Sequence, residues 1–159
     1  MFDIAINNGL VVDTRAKTSA PGHIGITGGK IAAVSPVPLQ AETVVNAAGL
    51  VVSPGFIDVH GHIDGYDYSG RLAALQGITT TVGGNCGLSP IATGDFLAGQ
   101  NSGGFAINQA ELVGHSFSLR KAAGLASPYA PATAEQLAHM LALAEAALQQ
   151  GAAGISFGL

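Results

Sequence analysis

The first fifty residues carry short apolar or alternating runs that turn-forming residues separate. They show none of the three- and four-residue apolar spacing that indicates a helix. The runs therefore predict β-strands. We place them at residues 4–12, with a break at Asn7-Asn8-Gly9, and at residues 23–27, 30–34 and 43–46. Strands of this kind are typical of a small β-sandwich, and we predict a β-sandwich segment over residues 1–50.

From residue 51 onward the pattern changes, because strand-like runs alternate with helical or loop stretches. This alternation indicates βα units and a parallel sheet, and hence the α/β class. The predicted strands lie at residues 56–60, 78–82, 105–113 and 153–157. A closed parallel barrel of eight strands needs about 250 residues, so four units form an incomplete (β/α)₈ barrel. We therefore expect residues 51–159 to be the truncated first half of such a barrel.

The last helix is the best-defined element of the pattern. Thr133 is placed to cap it, Gln136 occupies the capping-box position three residues later, and Gly151 follows its end. Apolar residues at spacings of three and four predict one buried stripe. Its members are Leu137, Met140, Leu141, Ala144, Ala147 and Leu148. His139 lies off this stripe and is predicted to be a surface residue.

Composition adds that the chain is unusually apolar. Charged residues make up 10% and hydrophobic residues 48% of the chain, whereas about 25% of an average soluble protein is charged. No window reaches the roughly 18 consecutive apolar residues of a membrane span. The apolar excess is therefore expected to face protein, either a missing part of the same fold or another subunit. This predicts association, as a homo-oligomer or through exposed half-barrel faces.

The charge balance and the N-terminus narrow the choice of partner and compartment. The formal net charge is −4, and no basic patch is present to supply the electrostatic attraction that nucleic-acid binding requires. Met1-Phe2-Asp3-Ile4 does not begin a secretory signal. The chain has one cysteine, which cannot form an internal disulfide. These features predict a cytoplasmic protein that binds neither nucleic acid nor membrane.

Candidate chemistry first occurs at Asp58-Val59-His60-Gly61-His62, at the C-terminal end of the first predicted barrel strand. Residues two apart on a strand point to the same side, so His60 and His62 can present two imidazole nitrogens to one point. Imidazole is a preferred ligand of Zn²⁺. The alternative is a pair of half-exposed strand histidines without a metal.

The second candidate is a glycine-rich turn, Gly83-Gly84-Asn85-Cys86-Gly87, that follows the next predicted strand. A thiolate exposed at the end of a strand is a good ligand for Zn²⁺. A buried structural cysteine is the alternative reading of Cys86. A phosphate-binding loop is disfavoured, because the turn lacks the lysine of such a loop and no clear helix start follows it.

These segments resemble a known family. Residues 54–62 look like the first barrel strand of the amidohydrolase superfamily, whose fold is a metal-bearing (β/α)₈ barrel beside a β-sandwich. Within that superfamily, further segments resemble the N-acyl-D-amino-acid deacylase (D-aminoacylase) branch. They are residues 77–82, Asn85-Cys86-Gly87, Val113-Gly114-His115, Leu119-Arg120 and residues 151–159.

The resemblance implies a metal centre and an activity. It makes His60 and His62 ligands of the more weakly held metal position and Cys86 a ligand of the tighter one, with one or two Zn²⁺ ions. In the family the remaining zinc-binding histidines and the catalytic aspartate lie on later strands, so the catalytic residues are expected beyond Leu159. The implied reaction is zinc-dependent hydrolysis of the amide bond of a small substrate, an N-acyl-D-amino acid.

Three nearby residues receive weaker expectations. Asp58 is expected to form a hydrogen bond that orients a ligand histidine. His115 is expected to be structural or adjacent to the substrate rather than a metal ligand. Arg120 suits a substrate carboxylate, but is expected to be solvated beside Lys121.

Two alternatives to the deacylase stay open. One is a cyclic amidase such as a dihydroorotase or hydantoinase, although no lysine lies on a predicted barrel strand after the second to act as their carboxylated bridge. The other is a non-catalytic truncated fragment that needs a missing C-terminal half. Whether further sequence follows Leu159 in the encoding frame would distinguish a fragment from a complete chain.

Overall fold

The computed structural model describes residues 1–158. The chain divides into two compact units, Met1–Pro54 and Gly55–Leu159, and each is described by itself. Within the described residues, none of the helices combines the length and the apolar character that crossing a membrane requires.

The N-terminal unit is one sheet of five strands, in the order β3-β2-β1-β4, with β5 also paired to β1. The strands are β1 (Phe2–Asp13), β2 (Thr18–Thr27), β3 (Lys30–Ser35), β4 (Ala41–Asn46) and β5 (Val51–Val52). Strand β1 pairs with β2 in the antiparallel sense and with β4 and β5 in the parallel sense. The predicted β-sandwich segment is therefore confirmed as a β-rich region, and its five strands form one sheet.

The predicted break in the first strand is a bulge rather than an end. The pairing of β1 with β2 shifts register between Ile6 and Gly9. Asn8 adopts a φ of +66° there, a conformation that Asn tolerates better than most residues. Its backbone N–H donates to Nδ1 of His23 at 3.1 Å. The strand continues beyond the bulge because this bond satisfies an amide that the ladder leaves unpaired.

The C-terminal unit is a parallel sheet in the order β6-β7-β8-β9. Its strands are β6 (Phe56–Asp58), β7 (Ile78–Gly83), β8 (Asn108–Gly114) and β9 (Gly154–Ser156). Its helices are α1 (Asp67–Leu75), α2 (Thr93–Gly103), a π-helical turn (His115–Leu119) that runs into α3 (Arg120–Ala122), and α4 (Ala134–Gln149). The predicted parallel half-barrel is confirmed, since four consecutive strands pair in chain order with helical connections.

Helix α4 begins as predicted, with a capping box. Oγ1 of Thr133 accepts the backbone N–H of Gln136 at 3.2 Å, and Oε1 of Gln136 accepts the backbone N–H of Thr133 at 3.1 Å. Two amides that the first helical turn leaves without partners are thereby satisfied.

The predicted stripe of α4 is only partly buried, which corrects the sequence interpretation. Met140, Ala144 and Ala147 are buried and pack in a core with residues of β8 and of the segment after it. Three leucines of the stripe are exposed, namely Leu137, Leu141 and Leu148. At about 100° per residue these leucines form a sector next to the buried one, so the unit covers only part of a wide apolar face. His139 is exposed, as predicted.

Candidate metal centre

The two histidines lie on a loop rather than on the strand. Strand β6 ends at Asp58, so the prediction that the strand reaches His60 is wrong. Oδ1 of Asp58 accepts the backbone N–H of His60 at 3.1 Å and turns the chain out of the sheet. The expected orienting bond of Asp58 is thus made to backbone rather than to an imidazole. The rings of His60 and His62 nevertheless lie edge to face, with centroids 5.2 Å apart.

Cys86 lies in the turn that follows β7, in an uncommon conformation. Its φ is +55°, a region that residues other than glycine seldom adopt. Asn85 is buried and donates from Nδ2 to the carbonyl of Gly61 at 3.1 Å and to that of Val82 at 2.7 Å. The Cys86 turn is thereby tied to the histidine loop. Cys86 itself is exposed, so the alternative of a buried structural cysteine is wrong.

Glycines allow the Cys86 turn to approach the ends of β8 and β9. A Cβ at Gly114 would collide with the backbone of Gly87, and one at Gly158 would collide with the backbone of Cys86. The buried hydroxyl of Ser156 accepts the N–H of Gly87 at 3.0 Å and donates to the carbonyl of Gly84. The ends of β8 and β9 and the histidine loop thus hold the turn from three segments. A metal ligand needs such rigid support.

The three predicted ligands converge on one point. Sγ of Cys86 lies 3.4 Å from Nε2 of His60 and 3.6 Å from Nε2 of His62. The ligand atoms of all three side chains lie within 4.8 Å of one another. Tetrahedral zinc with bonds of about 2.0–2.1 Å to nitrogen and 2.3 Å to sulfur separates such atoms by about 3.6 Å. The donor set and the two sulfur-to-nitrogen distances therefore fit Zn²⁺.

His115 and Arg120 lie outside this cluster. The ring of His115 packs on that of Phe157, with centroids 4.8 Å apart, and its Nδ1 has no hydrogen-bond partner among residues 1–158. Burial, and then the charge of Arg120, lower the pKa of His115, which favours the neutral imidazole. Arg120 is half-buried and donates from Nη2 to the carbonyl of Ala130, so the expectation that it is solvated is wrong.

Two carboxylates beside the cluster were missed by the sequence analysis. Glu111 on β8 is fully buried, and its pKa is raised to about 7 by burial and by the charge of Asp64, against a hydrogen bond from Gln109. Burial also raises the pKa of Asp64, while Gly84 and His62 act to lower it. The sequence did contain a signal for Glu111, because it lies within a predicted barrel strand. A charge buried at such a position is costly without a specific partner, so it indicates a special role.

A cavity of about 1100 Å³ opens beside the cluster. His62, Asn85 and Cys86 lie along its wall, and much of the remaining wall is apolar, including Leu88 and Leu125. Such a cavity, continuous with a cluster of ligand atoms, has the size and character of a small-molecule site.

Comparison with known proteins identifies the family. Residues 43–157 match the Amidohydrolase family model. A D-aminoacylase from Alcaligenes xylosoxydans xylosoxydans is 36% identical over 186 aligned positions, which cover 99% of this chain and 38% of that protein. The chain thus spans about 38% of the length of this relative.

Solved structures agree with the sequence match. The N-acyl-D-glutamate deacylase of Bordetella bronchiseptica, in complex with zinc and a phosphonate inhibitor, is similar with a TM-score of 0.87 and 33% identity, over 99% of this chain and 38% of that one. A D-aminoacylase with a binuclear metal centre gives a TM-score of 0.86 and 35% identity, over 99% and 39%. With a family match over most of its length and a parallel half-barrel that presents His-x-His after its first strand, this chain belongs to the amidohydrolase family.

Proposed function

We propose that the chain supplies the first part of the metal centre of a zinc-dependent N-acyl-D-amino-acid deacylase. His60, His62 and Cys86 hold one or two Zn²⁺ ions in this proposal. The observation that carries it is the placement of Sγ of Cys86 at 3.4 and 3.6 Å from the two imidazole nitrogens. A thiolate with two imidazoles at this spacing is a donor set that zinc prefers.

The choice of substrate follows the relatives. The relatives that align with nearly all of this chain are a D-aminoacylase, an N-acyl-D-glutamate deacylase and an N-acyl-D-aspartate deacylase, whereas the allantoinases align with 51% of it. An inhibitor that mimics a tetrahedral reaction intermediate is bound in one of the similar structures. We therefore assign hydrolysis of the amide bond of an N-acyl-D-amino acid, which yields a carboxylate and a D-amino acid.

The residues of this chain hold and orient rather than transfer protons. A zinc ion held by these residues would supply the Lewis acidity that polarises a scissile carbonyl. His60, His62 and Cys86 would bind the metal, and Asp58 and Asn85 fix the two backbone segments that carry them. We place the proton transfer to the departing amine on residues of the part of the relatives that this chain does not span.

A zinc-binding chain that does not hydrolyse amides by itself is the second candidate. The cluster found among residues 1–158 consists of two histidines and a cysteine, without a carboxylate member. Proton transfer in amide hydrolysis needs a positioned acid or base within hydrogen-bond reach. This composition favours binding without turnover for the isolated chain.

A reduced Cys86 is required in either case, which is our reason for proposing a cytoplasmic protein.

The first experiment measures zinc content and deacylase activity side by side. The samples are the 159-residue chain, any longer polypeptide that contains it, and the Cys86→Ala variant of each. We expect bound zinc to fall in Cys86→Ala, and hydrolysis of N-acetyl-D-amino acids to be confined to a longer polypeptide. His139→Ala, which removes an exposed histidine away from the cluster, is the matched control and should retain its zinc.

Two outcomes would contradict the proposal. Zinc content unchanged by Cys86→Ala would show that the metal is held elsewhere. Hydrolysis of N-acetyl-L-amino acids in preference to the D-enantiomers would contradict the assigned substrate while leaving the metal centre in place.

A further inference from the structure

Glu111, which is fully buried, and Asp64, which is half-buried, both place their carboxyl groups against the backbone of Gly83 and Gly84. A Cβ added at Gly83 would lie 2.6 Å from Oε2 of Glu111 and would collide with Oδ1 of Asp64, and one added at Gly84 would lie 2.9 Å from Oε1 of Glu111. The glycines thus leave the space that the two carboxyl groups occupy. The exposed fraction of Glu111 is 0%.

The pair lies where the two ligand-bearing segments meet. Asp64 follows His62 by two residues, and Gly84 precedes Cys86 by two residues. Glu111 comes from a third segment, β8, which pairs with β7 at Gly83 and Glu111. A side chain of β8 therefore contacts the segments that carry both kinds of ligand.

Each carboxyl group has one oxygen without a protein partner. Oε1 of Glu111 and Oδ1 of Asp64 form no hydrogen bond within residues 1–158, whereas Oε2 of Glu111 accepts from Gln109 at 3.0 Å. Burying a carboxyl oxygen without a hydrogen-bond partner costs free energy, because burial removes its hydration. A buried polar atom that lacks a partner in a native structure therefore calls for a specific explanation, such as a role at a functional site.

We propose that Glu111 is a positioning residue of the metal centre, whose buried carboxyl group braces Asp64 and so fixes the distance between the His62 loop and the Cys86 turn. The inference rests on the metal centre proposed above. The raised pKa of Glu111 supports it, because a protonated carboxyl group can donate a hydrogen bond to Asp64. Bracing of this kind matters because a metal site must be held within about 0.5 Å of its productive geometry.

The test compares Glu111→Gln with Glu111→Asp in the 159-residue chain, with Co²⁺ as the probe. Gln keeps the reach of Glu and can donate a hydrogen bond, whereas Asp keeps the acid but is one methylene shorter. We expect Glu111→Gln to bind Co²⁺ nearly as tightly as the unaltered chain. Glu111→Asp should bind it about 10- to 100-fold more weakly, the usual effect of losing a residue that orients ligands.

The cobalt spectrum separates positioning from stability. A thiolate-to-cobalt charge-transfer band reports on the Cys86 ligand, and we expect Glu111→Asp to shift or weaken it in protein that circular dichroism shows to be folded. Glu145→Asp, at an exposed position of α4, is the matched control and should leave affinity and spectrum unchanged. If Glu111→Asp fails to fold, Asp64→Ala on the loop removes the other half of the brace and should weaken Co²⁺ binding to a similar degree.

The outcomes distinguish this inference from the function on which it rests. Folded Glu111→Asp or Asp64→Ala with unaltered affinity and spectrum would overturn the positioning role alone. Equal weakening by Glu111→Gln and Glu111→Asp would also overturn it, since reach would then not matter. A charge-transfer band that persists in Cys86→Ala would instead overturn the metal centre itself.

Discussion

At the scale of single residues, the candidate centre is organised by side chains that bond to backbone. Asp58 holds the amide of His60, Asn85 holds the carbonyl of Gly61, and Ser156 bonds to the Cys86 turn on both sides. Hydrogen bonds of this kind contribute about 0.5–1.5 kcal/mol each, but leaving a buried partner unsatisfied costs more. The precision of the site therefore depends on residues that do not themselves face the proposed metal.

The buried Glu111 predicts a pH dependence of stability. Its pKa is raised by burial to about 7 in the folded chain from an ordinary value of 4.5. Between these two pH values the folded chain keeps a proton that the unfolded chain has lost. The contribution of Glu111 is therefore complete below about pH 4.5 and is lost as the pH rises through about 7. In Glu111→Gln this decline should be absent.

Urea unfolding of metal-free protein at intervals from about pH 5 to about pH 8 measures this effect. Glu145→Gln serves as the control, because it removes an exposed carboxylate of the same type and should leave the profile unchanged. Parallel profiles for the unaltered chain and Glu111→Gln would show that Glu111 does not titrate in this range.

At the scale of elements, local sequence signals set where α4 starts, and packing sets which of its faces is buried. Thr133 and Gln136 are three residues apart and form the capping box without help from the rest of the chain. The burial of Met140 but not of Leu141 depends instead on the position of α4 on the sheet. Strand β6 shows the same division, since the alternation of its side chains does not reveal that Asp58 ends it.

Replacing a side chain by alanine should destabilise the protein much more on the buried face of α4 than on its exposed face. Met140→Ala removes a side chain that is 4% exposed and should lower the free energy of unfolding by about 2–5 kcal/mol. Leu141→Ala changes a side chain that is 60% exposed and should alter it by no more than about 0.5 kcal/mol. Both variants introduce alanine in the helix interior, so helix propensity affects them alike. If urea unfolding gave the same loss of unfolding free energy for both variants, Leu141 would be buried as well, as the sequence pattern predicts.

At the scale of the whole molecule, large apolar side chains lie exposed in both units. In the C-terminal unit Ile57 is 63% and Phe157 is 64% exposed, and in the N-terminal unit Val34 is 66% exposed. Soluble monomers seldom expose large contiguous apolar patches. With only 10% of its residues charged, the chain also has little charge to keep copies apart.

The 159-residue chain by itself is therefore predicted to associate at micromolar concentration. Size-exclusion chromatography with light scattering should give a mass above the 15.8 kDa of one chain. If the copies associate through the half-barrel sheet, Ile57→Glu should reduce association. Val34→Glu makes the matched change in the N-terminal unit and should have the smaller effect. A monomer at all concentrations would contradict the prediction, and a greater effect of Val34→Glu would move the contact to the N-terminal sheet.

The sequence by itself determined the class of fold and the identity of the candidate ligands. Strand alternation, the capping box of α4, His60-Gly61-His62 and the Cys86 turn are local patterns, and their backbone preferences act over a few residues. The tertiary structure alone decided that Cys86, 24 residues beyond His62, meets both imidazoles. It also decided that Glu111 is fully buried, that Arg120 is bonded rather than solvated and that α4 buries only one sector. These features depend on which distant segments pack together, and that is set by the whole chain rather than by local spacing.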